Sequence, residues 1–583
     1  MPEQAEARFA SDAYFLGPKS ENSAWVRGEF QAILDHWFDW RRSLFTDDPE
    51  AISPQRRLST EFLRERERLG QAVRILREKL CAEVPTFTPR YIGHMVSEVS
   101  LPALLGHFAT LLHNPNNTSR EVARVGGVIE DEAIAMLAEM VGYDPVQAQG
   151  HFTGGGTVAN FEAVWRARYR MDHCLSLALH GYETRGESFN AFEAAHAGWD
   201  AFEAQRGGSG AIEAELRACS GVLGNPFDYA ERLTAATGQP WRGPVLITPG
   251  NKHFSWRKAA NVFGLGEEAF WNAPLDAEGR LDLDGLDGLI QRARKQGRPV
   301  LAIVSVAGTT EAGEIDPVDG VCDRLDALRR EGIDIWHHVD GAYGGFFCSM
   351  LGGAAEACLE PGRVRALRAV ARADSVTLDP HKLGYVPYAC GAFLTREVRG
   401  YVASSFQAPY IDRAATNDKW ACTLEGSRTA SGAAATWLTG RSIGFGPDRF
   451  GDMLRSTIET RMAFQSAIAA AIPMAHFLPA DSNILCFSLA RPGEALLQSN
   501  RRTGEVFARL QADPAFSVSR TVLAAESYGA LIASHVAGWG GPCDSDQLVL
   551  LRCVFMNPFW SNAEVERALL PAFIETLQAH IGV

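Results

Sequence analysis

Four short segments of the 583-residue sequence gather residue types that could do chemistry. The first, residues 374–394 (DSVTLDPHKLGYVPYACGAFL), places Lys382 after an apolar run and among Pro380, Gly384 and apolar neighbours. A lysine there is either a snorkelling surface side chain or a nucleophile whose pKa is lowered by desolvation. His381 beside it, in a turn tightened by proline and glycine, favours a fixed direction for both side chains. The second, residues 337–345 (HHVDGAYGG), ends an apolar stretch with Asp340. A buried carboxylate is costly unless it meets a cation. A protonated ring nitrogen would serve: at ~4 Å and an effective dielectric of ~20 the raw attraction is about 4 kcal/mol before desolvation. Gly341 and Ala342 would let a flat ring lie close; the bland alternative is an aspartate capping a turn. The third, residues 150–170 (GHFTGGGTVANFEAVWRARYR), runs three glycines and Thr157 into a helical pattern. Free N–H groups at such a helix start, with the Thr157 hydroxyl, can bind a phosphate, although a flexible turn with a threonine cap reads the same way. The fourth, residues 248–266 (TPGNKHFSWRKAANVFGLG), puts His253 just after an apolar run, where an imidazole could stack on a flat ring and relay protons. An isolated histidine is more often a cap or a core residue.

Each segment sits at the end of an expected strand or the start of an expected helix. Residues 245–248, 301–306, 333–340 and 375–379 are short apolar runs that read as buried strands. Helical patterns such as residues 317–330 lie between them. This alternation predicts an α/β fold with a mostly parallel sheet, whose ligands sit at the carboxyl ends of the strands. Before it, residues 1–125 read as a helical N-terminal segment, with residues 61–79 the clearest helix. The large domain is placed at 126–412, interrupted by a helix-rich insertion at about 171–243. Residues 413–583, with strand candidates from Asn483 and Leu548, suit a smaller α+β domain.

Composition sets the class. Net charge is −14, which leaves no basic surplus for a nucleic-acid or anionic-membrane partner. The eleven cysteines include no CxxC pair, so neither a structural metal nor a disulfide framework is expected, and reduced thiols in a cytoplasm fit. The N-terminus lacks the basic and apolar order of a signal peptide, and no apolar run is long enough to span a membrane.

Taken in chain order, TGGGTVAN, NKHFSWRKAA, GTTEAGEIDP, HVDGAYGG and DSVTLDPHK resemble the group II pyridoxal-phosphate-dependent amino-acid decarboxylases. FLGPKSEN from Phe15, FTPRYIGHMVSEVSLPALLG from Phe87, HNPNNTSREV from His113, LEGSRTASGAAATW from Leu424 and LRCVFMNPFW from Leu551 are similar to the bacterial tyrosine-decarboxylase-like branch. The resemblance covers nearly the whole chain and is weakest at 171–243. It implies a fold type I enzyme (aspartate-aminotransferase-like) working as a cytoplasmic homodimer on a small-molecule amino acid, with pyridoxal 5′-phosphate as cofactor.

By its motifs the resemblance makes Lys382 the lysine that carries the cofactor as a Schiff base. Asp340 becomes the ring-nitrogen partner, and Ala342 the small residue on the ring face opposite His253. Gly156 and Thr157 match the phosphate cradle, His381 a further phosphate contact, and Thr310, with Thr309 beside it, a cofactor hydrogen bond. Tyr410 falls in the APYI stretch, where the family has a loop tyrosine that returns a proton. Ser427 would reach a phosphate across the dimer, and His94 and Ser97 would line the substrate pocket. One departure is Gly341, where the family usually has alanine; looser packing is expected there. Tyrosine, methionine and valine decarboxylases look alike at these motifs, so the substrate stays open among neutral side chains, aromatic or aliphatic and thioether. Other chemistry on the same fold (a decarboxylation-dependent oxidase, a lyase or an aminotransferase) and a catalytically silent protein are the alternatives.

Overall fold

The computed structural model describes residues 9–209, 213–404 and 419–582. Its large sheet has seven strands: β1 (Gln149–Thr153), β2 (Val245–Pro249), β3 (Phe270–Ala273), β4 (Val300–Val306), β5 (His337–Asp340), β6 (Ser375–Leu378) and β7 (Gly391–Thr395). They lie in the order β1-β7-β6-β5-β4-β2-β3. β3, β2, β4, β5 and β6 pair in parallel, and β7 runs against both β6 and β1. Every residue of β2, β4, β5 and β6 is buried, as expected of parallel strands covered on both faces. The crossover helices earn their place by period. Val318–Arg330, between β4 and β5, buries Val318, Val321, Cys322 and Leu325. Leu283–Lys295 is capped by Asp282, whose carboxylate accepts from the Asp284 N–H at 3.0 Å, and buries Leu286, Ile290 and Ala293.

The expected strand at 333–340 pairs regularly only from His337. Ile333, Ile335 and Trp336 are buried, but the Asp334 N–H is taken by the His196 carbonyl at 2.7 Å, so the insertion occupies the start of this run. The insertion itself begins inside a helix. Gly156–Arg185 runs 30 residues, and the short helices after it pack onto its far half through Leu175, Leu179, Tyr229 and Leu233.

The C-terminal part carries an antiparallel sheet of β8 (Ala475–Phe477), β9 (Ile484–Leu489), β10 (Ser519–Ala524) and β11 (Gln547–Val554), in the order β10-β11-β9-β8. Phe464, Phe487, Leu551, Phe555, Trp560 and Phe573 form its core. At the other end of the chain, Ser23–Ser43 and Thr60–Leu80 are 21-residue helices with no buried residue. Among the described residues no helix is long and apolar enough to cross a membrane.

Candidate active site

The parallel strands end on one cavity of about 360 Å³. β2 leads to His253, β4 to Thr309 and Thr310, β5 to Asp340 and Ala342, and β6 to Asp379, His381 and Lys382. The loop after β1 supplies Gly154, Gly155, Gly156 and Thr157. The four segments singled out by their chemistry thus meet in one place.

The glycine turn is built for close approach. A Cβ on Gly156 would lie 2.8 Å from Asp379 Oδ2 and 3.3 Å from Ala342 Cβ. A Cβ on Gly391, at the start of β7, would lie 2.5 Å from Gly155 Cα. The helix that follows has no side-chain cap, so its first N–H groups are left for a ligand. At Gly341 the expected slack is absent: a Cβ there would sit 3.1 Å from both Gly345 Cα and the Thr377 carbonyl, so glycine fits a tight spot.

Asp340 is 4% exposed. Its Oδ2 accepts from Asn160 Nδ2 at 2.8 Å and Trp256 Nε1 at 2.9 Å, and its Oδ1 from the Ala342 N–H at 3.3 Å. Lys382 Nζ lies 3.0 Å from Asp379 Oδ2. Burial is the largest influence on the ammonium and works against its charge, but Asp379, backed by Asp340, outweighs it. The lysine pKa is therefore raised, not lowered as desolvation alone would have it. Asp379 Oδ1 is buried without a partner. His253 is pushed below the usual imidazole range by burial, which the attraction of Asp340 only partly offsets. His381 is lowered by burial in the same way; its Nδ1 faces the Cys390 carbonyl at 2.5 Å and its ring lies against Tyr388.

Thr309 is buried, its hydroxyl turned to the Glu314 carboxyl and accepting from the N–H groups of Gly313 at 3.0 Å and Glu314 at 3.2 Å. Thr310 is the exposed one of the pair. His94 and Ser97 are not in the cavity wall; Ser97 is buried with its hydroxyl unpartnered, and His94 is exposed beside Arg552. Ser427 is also outside the wall, exposed, and accepts from Asn116 Nδ2 at 3.1 Å. Tyr410 lies outside the described residues.

Sequence reasoning assigned no role to Asn160, Trp256, Asp379, Tyr388 or Arg552. Asp379 stands three residues before Lys382 in the same turn, a spacing that could have flagged it. Arg552 carries no such signal: it is buried on β11 and donates to the carbonyls of Thr310 (2.8 Å), Glu311 (3.0 Å) and Gly93 (3.1 Å), some 240 and 460 positions away in the chain.

These features fit pyridoxal phosphate. The cradle admits no side chain, an uncapped helix start suits a phosphate, and an acceptor-only carboxylate and a lysine stand in the same cavity. Residues 234–490 match the family model described as the pyridoxal-dependent decarboxylase conserved domain. The L-tyrosine decarboxylase of Levilactobacillus brevis is 26% identical, with 98% of this chain and 96% of that protein covered. The L-tyrosine decarboxylase of Enterococcus faecium is 26% identical, covering 95% of each. Among solved structures, the Oryza sativa TDC with PLP and tryptamine has a TM-score of 0.63 at 17% identity, covering 96% of this chain and 97% of its own. The glutamate decarboxylase domain from Vibrio parahaemolyticus gives 0.59 at 19% identity, covering 95% and 96%. At such identities these structures speak for the fold alone, which is that of the fold type I pyridoxal-phosphate enzymes. Motifs, cavity and matches agree: residues 234–490 match the pyridoxal-dependent decarboxylase conserved domain, and nearly the whole chain is similar to bacterial L-tyrosine decarboxylases.

Proposed function

We propose that the substrate is an L-amino acid with a neutral side chain, tyrosine first among those to try, and that Lys382, Asp340, His253 and Tyr410 carry the reaction. The carrying observation is that Lys382, Asp340, His253 and the glycine cradle line one cavity at the strand ends. Bound there, pyridoxal phosphate supplies an electron sink for the pair released when the carboxylate bond breaks. The chain does the rest. Lys382 is the amine that would hold the cofactor. Asp340 is fixed by three N–H donors and would be the partner of the ring nitrogen. Gly156, Thr157 and His381 would hold the cofactor's phosphate, Ala342 and His253 would flank its ring, and Thr310, with Thr309 beside it, would offer it a hydrogen bond. Tyr410 returns a proton to the carbon. His94 and Ser97 are assigned to the substrate side, and Ser427 to a phosphate of the partner subunit.

The neutral side chain is favoured by charge. Among the described residues, the cavity wall has no cation besides Lys382 and two histidines held below their usual range. Arg552, which is bonded to the carbonyl of Thr310 at the cavity wall, has four of its five N–H groups directed at the carbonyls of Thr310, Glu311 and Gly93 and at Ser519 Oγ. Phe254 and Tyr388 offer aromatic faces at the wall. The homodimer reading is supported by the two N-terminal helices, which expose Trp25, Phe38, Leu63, Leu69 and Leu76. The cytoplasmic reading is supported by free cysteines throughout. The three-part division at 1–125, 126–412 and 413–583 is supported by the two uncovered helices Ser23–Ser43 and Thr60–Leu80, the mostly parallel sheet β1–β7 and the antiparallel sheet β8–β11.

The test is product analysis on purified protein given pyridoxal 5′-phosphate and each common L-amino acid. Amine and carbon dioxide in equal amounts from tyrosine or another neutral amino acid is expected. Turnover confined to glutamate or aspartate would sink the substrate reading. Ammonia or peroxide matching the carbon dioxide would move the enzyme to oxidative chemistry.

A further inference from the structure

A buried hydrogen-bond relay joins the two sides of the cavity. Asn160 Nδ2 donates to Asp340 Oδ2 at 2.8 Å and to Ser255 Oγ at 3.0 Å. Ser255 Oγ lies 2.9 Å from His253 Nδ1, and the Ser255 backbone N–H points at the same nitrogen at 3.3 Å. Asn160 is 1% exposed and Ser255 fully buried.

The direction of every hydrogen in it is set from its two ends, the Asp340 carboxylate and the Ser255 backbone N–H. Asp340, as a carboxylate, has only acceptors to offer, so the Asn160 amide must turn its nitrogen, and not its oxygen, toward it. The Asn160 N–H takes one acceptor site of Ser255 Oγ, and the Ser255 backbone N–H, pointing at Nδ1, makes that nitrogen an acceptor, so the serine hydrogen goes to His253 Nδ1 as well. From this geometry we propose that Ser255, oriented by Asn160 and Asp340, is a positioning residue that locks His253 in the tautomer with its hydrogen on Nε2.

This rests on the reading of His253 as the residue over the cofactor ring and deepens it. A neutral imidazole with Nδ1 occupied presents the cavity with an N–H donor at Nε2. Such a group binds an acceptor, such as a substrate carboxylate oxygen, and is no base at that nitrogen. It is also no acid until Nδ1 takes a proton, which the two Ser255 donors oppose. The groups acting on His253 are Asp340 and Asp379, which favour its charge, and Lys382 and Lys258, which oppose it; burial exceeds them all. His253 is thus a hydrogen-bond donor that orients the substrate, and the proton shuttle expected of it from the sequence is assigned elsewhere.

The experiment is 15N NMR of histidine-labelled holoenzyme at pH 8, with the His253 signals assigned by their loss in His253→Gln. A pyridine-type Nδ1 and a pyrrole-type Nε2 are expected. In Ser255→Ala the two shifts should move toward each other as the tautomers mix, while the cofactor absorbance stays and kcat/KM for the amino acid turned over falls about tenfold, the size of one hydrogen bond's effect on a rate. Asn160→Leu, which frees the serine hydroxyl, should show the same mixing and guards against a fold defect peculiar to Ser255→Ala. A wild-type pyrrole-type Nδ1, or unchanged shifts in both folded variants, overturns the proposal. The proposed cofactor site fails separately: it falls if Lys382→Ala keeps the wild-type visible spectrum, whatever the tautomer.

Discussion

Asp379→Asn tests how the lysine is governed. At 3.0 Å and an effective dielectric of ~20, the raw attraction between Asp379 and the Lys382 ammonium is about 5.5 kcal/mol. Burial of the ammonium opposes it, and the pair wins: the lysine pKa is raised. Remove the charge and burial is left facing the weaker pulls of Asp340 and Tyr388, so the pKa must fall. Even a quarter of the raw term, about 1.4 kcal/mol, is one pKa unit. Only the neutral amine condenses with an aldehyde. Below the pKa its fraction grows about tenfold per pH unit, and so should the rate at which apoenzyme takes up pyridoxal 5′-phosphate. The assay mixes apoenzyme with excess cofactor from pH 6.5 to 9 and follows the visible absorbance. The variant's profile should be displaced to lower pH by one unit or more, with loading near pH 7 about tenfold faster than in the parent. Superimposable profiles would mean that Asp379 does not set the lysine's charge, and the electrostatic account of the turn would be wrong.

Three further outcomes are expected. Gly156→Ala puts a Cβ 2.8 Å from Asp379 Oδ2 and should weaken cofactor binding at least tenfold, read by equilibrium titration, with little change in the far-ultraviolet spectrum. Glu314 is buried and its carboxyl is pushed up to about 8, chiefly by burial; the folded state therefore holds a proton that the unfolded state releases above the ordinary carboxylate range. The stability this group contributes is full below about 4.5 and is lost as pH rises toward 8, at up to about 1.4 kcal/mol per unit. Urea unfolding of Glu314→Gln should show that slope reduced between pH 5 and 8, and an unchanged slope would refute it. Tyr410→Phe should lose amine formation and gain oxidative by-product, and parent-rate turnover with clean product would remove Tyr410 from the mechanism.

What could be read from the sequence divides along a physical line. Asp340, Lys382, His253 and the glycine turn were legible because each is a strand end or helix start with its chemistry within a few residues. The buried runs of β2, β4 and β6 were legible for the same local reason. β1 and β7 were not: each is five residues, and β1 gains its strand character only by pairing with β7 across about 240 positions. The insertion was placed too simply, since its first residues are the far half of the cradle helix. Arg552 and Asn160 were missed because their importance lies in distant partners, Thr310 for one and Asp340 for the other. Lys382 shows the subtler failure. Its burial was foreseeable, but the sign of its shift depends on where Asp379 points, which a spacing of three residues in a turn leaves open.

The two aspartates of the cavity show how one fold gives like groups unlike tasks. Asp340 ends β5, and its donors come from Asn160, Trp256 and the Ala342 backbone, all uncharged. Neutral donors steady a carboxylate without cancelling its charge, so its field still reaches into the cavity, where the proposed cofactor would place a ring nitrogen. Asp379 ends the neighbouring β6 and is spent on a cation three residues away, with its second oxygen unpartnered. Exchanging the arrangements would undo the site: an ion-paired Asp340 would have little field left for a ring, and an Asp379 wrapped in N–H donors would leave Lys382 to burial. Trp256→Phe probes this division from the Asp340 side. It removes one neutral donor at 2.9 Å and leaves Asn160 on the same oxygen, so cofactor affinity should drop severalfold while the pH profile of cofactor loading, set by Asp379, stays in place. A shift of that profile in Trp256→Phe would show that the two carboxylates act as one unit.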